Sequence, residues 1–464
     1  MTNYTSYSSP FSWRYSSPEM RTIWSEVNKR RLWRQIWLTL AEVQADFHLI
    51  SSDQLDELRA QVNDVNVERS LEIESQIHHD LMAELRSYAE QCPRAGGSLH
   101  LGATSMDIED NADVLRMRES LDLVLGKLSW LLSILADKIN EWADLPLIAF
   151  THLQPAEPST LGYRICQYAQ DLLEDHRSIT RIRADLRGKG FKGAVGTGAS
   201  FAELVGVENL SDFEARLSAR LDLPFFPIAT QTYPRKQDYR LVGSLAGMGA
   251  SLNKLAFDLR FLQSPPIGEV SEPFAAKQVG SSAMPFKRNP VNAEKLDSLA
   301  RALAQYPRLA WDNAAYSLLE RTLDDSANRR SMLPEVFLIS DELLITTIKI
   351  MDGLQVNQPA ISKNLAAYGP FAALERVLMA LGKAGADRQE MHERLREHAM
   401  VAWEAIQHGG ENPLARRLFS DEDLLRYLDM HQLEDLMEVN NYLGDAPVRA
   451  RQFASQVHAY LKDQ

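Results

Sequence analysis

The chain has 464 residues, a formal net charge of −13, 45% hydrophobic residues and two cysteines. That length exceeds what one compact core holds and points to about three units. The acidic balance excludes general nucleic-acid binding, which needs an excess of Lys and Arg, but leaves room for a small anionic ligand held by cations gathered in one cleft. Cys92 and Cys166 are too few and too isolated for a disulfide framework or a thiolate metal site. Met1 to Ser6 lacks a basic stretch followed by an apolar one, and no run reaches the roughly 18 uninterrupted apolar residues of a membrane span. A cytoplasmic protein without a membrane partner is expected.

Helical periodicity dominates, and strand-like alternation is confined to short pieces, so the expected class is all-α. A first helical domain, 1–105, should end where Pro93, Gly96, Gly97 and Gly102 break the pattern. From Asn111 to about Trp142, apolar residues exceed one narrow stripe, which predicts burial on more than one face; Asp110 or Asn111 is the expected N-cap and Leu145-Pro146 the end. Further long helices are predicted over about 160–186, 237–262, 290–315 and 333–354. The third of these five carries Gly243, Ala246, Gly247, Gly249 and Ala250, small residues that let helix axes approach closely. These helices define a central bundle domain, 106–356, and Asn357-Gln358-Pro359 separates it from a C-terminal helical domain, 357–464, in which we find no motif.

The densest chemistry lies between Gly280 and Pro290. Gly280, Ser281, Ser282 and Ala283 let backbone approach and move over a ligand, while Lys287 and Asn289 can neutralise and hydrogen-bond carboxylate oxygens. On spacing alone a solvated Gly/Ser loop before a helix fits equally well. A lone histidine is usually structural, but His152 lies in a short loop segment, Thr151 to Pro155, just before a long helix. Ser326 and Arg330, four apart, share a helix face that suits a phosphate, with Arg329 pointing elsewhere. His78, His79 and His100 invite a metal reading, but no carboxylate or thiolate set is organised around them. Gly188-Lys189-Gly190-Phe191-Lys192-Gly193 fits a dinucleotide-loop pattern in letters only, because it follows a helical stretch and not a strand.

Gly280–Pro290 resembles the signature loop of the fumarase/aspartase superfamily, whose members release fumarate by β-elimination; with Phe286 and Arg288 it is most similar to the adenylosuccinate lyase branch. Thr151-His152-Leu153-Gln154-Pro155-Ala156, Leu101-Gly102-Ala103-Thr104-Ser105 with Asp110-Asn111, Arg14 to Met20 and Arg321 to Arg330 match in order. The resemblance implies a homotetramer around a twenty-helix core, active sites shared by three subunits, a small nucleotide substrate, and no cofactor or metal. It assigns Ser281 as general base, His152 as general acid oriented by Glu294, and Lys287 as the cation stabilising both the serine alkoxide and the aci-carboxylate. Arg14, Tyr15, Ser326 and Arg330 resemble the phosphate site, with Arg321 in the same cationic cleft; His79 and Asp80 resemble a substrate-contacting pair. Thr104, Ser105 and Gln231 are expected around the succinyl group. Tyr163, Gly198, Asn292 and Lys295 depart from that branch's usual Lys, Gln, Arg and Arg. Two other readings stay open: a superfamily lyase for argininosuccinate or a carboxymuconate, and a lyase-derived protein without activity.

Overall fold

The computed structural model describes residues 5–463 and is overwhelmingly helical, as expected; the reading of the N-terminus falls partly on residues 1–4, outside that range. The chain forms two compact units, neither contiguous in sequence. One takes the residues up to Leu128, Asp175–Ala250 and Leu299–Ile345; the other takes Ser129–Glu174, Ser251–Ser298 and everything from Thr346 on. In the first unit Trp33, Trp37, Tyr88, Phe191, Phe201 and Phe213 belong to one buried core. In the second, Val377, Leu381, Leu395, Leu414, Leu418 and Leu433 form another.

The helix predicted to start near Asn111 spans Ser105–Glu141. Its apolar excess is buried on more than one face: Leu128, Leu131, Leu132, Leu135 and Ala136 are all inaccessible. The N-cap expectation fails. The Thr104 N–H donates to Asp107 Oδ2 at 2.9 Å and starts the helix at Ser105, leaving Asp110 and Asn111 buried inside it. Asp110 instead accepts from Arg235 Nη1 and the Tyr233 N–H, each at 2.9 Å, and Asn111 exchanges hydrogen bonds with the Gly190 backbone. Short polar side chains suit a cap and a buried network equally, and here the partners lie far away in sequence.

Helices at Leu161–Asp185 and Lys236–Leu262 follow the prediction closely. Only part of the small-residue face is tightly packed: a Cβ on Gly249 would lie 3.0 Å from Leu303 Cδ2, whereas one on Gly243 would meet nothing within 4 Å. The single helix expected over 290–315 is two, Val291–Leu303 and Tyr306–Ala315, because Pro307 cannot donate the hydrogen bond that would continue the first and is well placed in the first turn of the second. The last of the five predicted helices, Ser326–Asp352, starts about two turns before the expected 333, which leaves Pro334 inside it.

Two short antiparallel ribbons position the second unit's chemistry. β1 (Pro146–Thr151) and β2 (Gln154–Thr160) form a hairpin that contacts the Gln358–Lys383 helix, so the segment expected to be a plain loop is the tip of a hairpin. β3 (Val270–Ser271) pairs with β4 (Gln355–Val356) at the root of the Gly280 loop. Buried Glu269 fixes that root by accepting from Arg164 at 2.9 Å and Asn364 at 3.1 Å.

Candidate active site

Within the first unit the structure brings several predicted residues together. His79 caps the Asp80–Gln91 helix, its Nδ1 accepting the Met82 N–H at 3.5 Å; that leaves Nε2–H to face Ser105 Oγ at 3.4 Å. Asp80 accepts the Leu81 N–H on one oxygen and pairs with Arg330 Nη2 at 2.8 Å on the other. Arg330 and Ser326 sit in the first turns of the Ser326–Asp352 helix. Asp80, Arg321, Ser326 and Arg330 line one cavity of about 150 Å³. Arg321 pairs with Asp325 at 2.8 Å, and its Nε is buried without a hydrogen-bond partner among the described residues.

Other predicted residues are not joined to that corner. Arg14 lies over the Trp13 and Tyr15 rings, each centroid 5.8 Å away, with no hydrogen bond or ion pair to Ser326 or Arg330. The Gln231 N–H donates to the Glu320 carbonyl at 3.2 Å.

A layer of buried charge that sequence reading missed underlies the corner. Arg329, pointing away from Ser326 and Arg330 as expected, is buried with Asp238 at 2.9 Å and the Tyr233 hydroxyl at 2.7 Å. Arg235 joins Asp110 at 2.9 Å to Asp325 at 2.6 Å. Glu109 lines the cavity; burial, reinforced by the charges of Asp80 and Asp113 and opposed by Arg330, pushes its carboxyl up to about 8.

Asp107 organises the Thr104–Ser105 turn. It accepts the Thr104, Lys192 and Gly193 N–H groups and pairs with fully buried Lys189. The run 188–193 therefore wraps the Asp107 carboxylate, and it also packs against the Asn111 amide, whose Oδ1 would lie 2.4 Å from a Cβ on Gly188. Only the acidic residue three places after Thr104, in capping position, could have signalled this. Of the four departures, Gly198 has a local reason: at φ 70° it begins the Ala199–Val205 helix, in a conformation that favours glycine.

In the second unit, Ser281 Oγ accepts the Met284 N–H at 3.1 Å and the Ala283 N–H at 3.4 Å. These donors would favour a developing alkoxide. The loop closes on itself: the Asn289 side chain donates to the Gly280 carbonyl at 3.0 Å, and a Cβ on Gly280 would lie 2.2 Å from the Lys287 carbonyl. Asn289 thus spends one predicted donor on the loop. Buried Glu272, another residue missed, accepts the Asn292 and Ala293 N–H groups and the Asn292 side chain, capping the helix after the loop and giving the departure at Asn292 its role. Lys287 is exposed and makes no ion pair among the described residues.

His152 and Leu153 form the two-residue turn between β1 and β2, at φ 53° and 60°. A two-residue hairpin turn with both residues left-handed normally takes Asn or Gly, and such strain gathers at functional sites. His152 is exposed and has no hydrogen-bond partner among the described residues. Glu294 stands in the first turn of the Val291–Leu303 helix, 3.9 Å from Arg260, with no bond to His152 within the chain.

Comparison with known proteins fits this geometry. A family model described as lyase matches residues 10–303, and one described as adenylosuccinate lyase C-terminus matches residues 370–453, in the quarter where the sequence offered no motif. The chain is 37% identical to the adenylosuccinate lyase of Schizosaccharomyces pombe over 98% of its own length and 95% of that protein. It is 33% identical to that of Archaeoglobus fulgidus over 98% and 99%. Among solved structures, a fumarate lyase from Mesorhizobium matches at TM-score 0.83 and 25% identity, covering 97% of this chain and 99% of that one. A 3-carboxy-cis,cis-muconate lactonizing enzyme from Pseudomonas putida matches at TM-score 0.86 and 24% identity, with the same coverage, a likeness of fold alone.

Proposed function

The chain belongs to the adenylosuccinate lyase family of the fumarase/aspartase superfamily, and from that premise we propose the reaction and residue roles that follow. It is a C–N lyase that cleaves adenylosuccinate to AMP and fumarate. The same elimination applied to succinyl-aminoimidazole-carboxamide ribotide gives the carboxamide ribotide and fumarate. The observation that carries this reading is near full-length identity to adenylosuccinate lyases, extending through the C-terminal region; it outweighs the carboxymuconate alternative, which rests on fold.

Ser281 Oγ, as alkoxide held by two backbone N–H groups and Lys287, takes the proton from the carbon beside a succinyl carboxylate. The electron pair moves into the aci-carboxylate and then forms the fumarate double bond as the C–N bond breaks. His152 gives its proton to the leaving nitrogen. Asp80 holds Arg330 in place, and Ser326 and Arg330 take the phosphate. Support comes from the donors on Ser281 and the ion pair on Arg330.

The homotetramer belongs to the same proposal. Phe286, Val279 and Leu153 are 83%, 78% and 70% exposed, apolar surface that a neighbouring copy would cover, and His152 and Glu294 would then meet across subunits. We also propose a cytoplasmic location; no described helix is long and apolar enough to cross a membrane. The test is an ultraviolet assay for fumarate release from each nucleotide, from argininosuccinate, and from adenylosuccinate lacking its phosphate. Release from both nucleotides with strong phosphate dependence is expected. Release from argininosuccinate alone would overturn the assignment.

A further inference from the structure

The end of the Leu161–Asp185 helix and the start of the Lys236–Leu262 helix border a groove of about 720 Å³ in the first unit that takes no part in the proposed reaction. Arg181, Arg187, Lys236 and Arg240 line it against one carboxylate, Asp185. All four cations are exposed, and none makes an ion pair among the described residues. On a chain with net charge −13, a local excess of three positive charges, four cations less one carboxylate, is a marked departure.

The placement works against the free protein. Lys236 and Arg240 are one helical turn apart, where like charges repel, and both stand near the positive end of a 27-residue helix. The remaining walls are fixed. The Arg187 N–H donates to Gln237 Oε1 and Gln237 Nε2 to the Arg187 carbonyl, both at 3.0 Å. The Phe226 N–H donates to the Gly188 carbonyl at 2.9 Å, and the Ser178 and Ser244 hydroxyls share a hydrogen bond at 3.2 Å. Phe226, Ile182 and Leu186 supply an apolar side.

We propose that this groove binds an organic polyphosphate of the nucleoside di- or triphosphate class, its phosphates among the four cations and its flat apolar part against Phe226 and Ile182. The volume falls within the roughly 300–1,000 Å³ of small-molecule sites. The charge excess matches a ligand with about three negative charges, and guanidinium groups bind phosphate oxygens in pairs.

The experiment titrates the full-length protein in its native assembly with ATP and, separately, with tripolyphosphate, by calorimetry at low and high salt. Saturable ATP binding that weakens with salt is expected, tighter than that of tripolyphosphate. Lys236→Glu/Arg240→Glu should weaken it at least about tenfold, and Lys236→Gln/Arg240→Gln by less, with fumarate release in the absence of ATP unchanged. Equal affinity for tripolyphosphate overturns the nucleotide assignment. Unchanged ATP affinity in both variants places ATP in the reaction cleft and overturns the site. No saturable binding up to about 10 mM overturns it as well. Dissociation of the assembly by the charge reversal, seen by light scattering, would show that a neighbouring copy covers the groove, and does the same.

Discussion

The corner of the first unit proposed to hold substrate and the tips of the second proposed to transfer protons are built on opposite lines. His79, Asp80, Ser105 and Arg330 are bonded to one another or to backbone, over a buried layer of Asp110, Arg235, Asp325 and Arg329. His152 and Lys287 stand exposed on a strained turn and a surface loop. Binding groups gain from fixed geometry before the ligand arrives, since orientation is then already in place. Groups that must change protonation gain from having few fixed partners until the site is assembled.

The sharpest way to break that contrast is to remove the proposed base. Ser281→Ala should lower kcat by at least about a hundredfold with substrate affinity retained. A folded variant within tenfold of the parent would move the base to Ser282 or elsewhere. Mixing inactive Ser281→Ala and His152→Ala proteins under conditions of subunit exchange tests whether the exposed tips meet across chains. Fumarate release should partly return, and mixed assemblies that form yet stay as inactive as the parents would sink the shared site.

On the prebuilt side, Asp80→Asn should raise KM about tenfold, the scale of one charge-assisted hydrogen bond, with a smaller change in kcat. An equal fall in kcat and kcat/KM would instead give Asp80 a role only in the transition state. A further effect, read in stability and not in turnover, concerns Glu109. Its folded-state value, about 8, lies above the ordinary 4.5, so the fold binds a proton that the unfolded chain releases. Stability from this group is present below about pH 4.5 and lost as pH rises through 8. Glu109→Gln should therefore flatten the fall in Tm between those pH values, and an unaltered profile would show that the carboxyl is ionised in the fold.

The long helices were legible because their apolar residues exceed one stripe, a signal local to each segment. The hairpin was not: its turn is His152-Leu153 in place of an Asn-Gly pair, and Pro146, Pro155 and Pro158 argue against strands. Asp110 and Asn111 misled because their partners, Arg235 and Gly190, lie 125 and 79 residues away. Ser281 and His152 stood out through resemblance to a family, since a loop serine and a turn histidine carry no periodicity. Glu272 and Lys189 had no local signal; their roles appear only where the fold returns the chain to them.

Glu272 bears on how such a loop can change over generations. By accepting the N–H groups of residues 20 and 21 positions later, it closes the Gly280 loop into a ring whose two ends are pinned to each other. The entropy of a closed ring grows only with the logarithm of its length, about 0.6 kcal/mol per doubling. Residues can therefore be inserted or lost at the crown with little effect on folding, while replacing Glu272 removes one of the anchors at its base, beside Glu269. Length is the free variable of this loop and its anchors are the constrained ones.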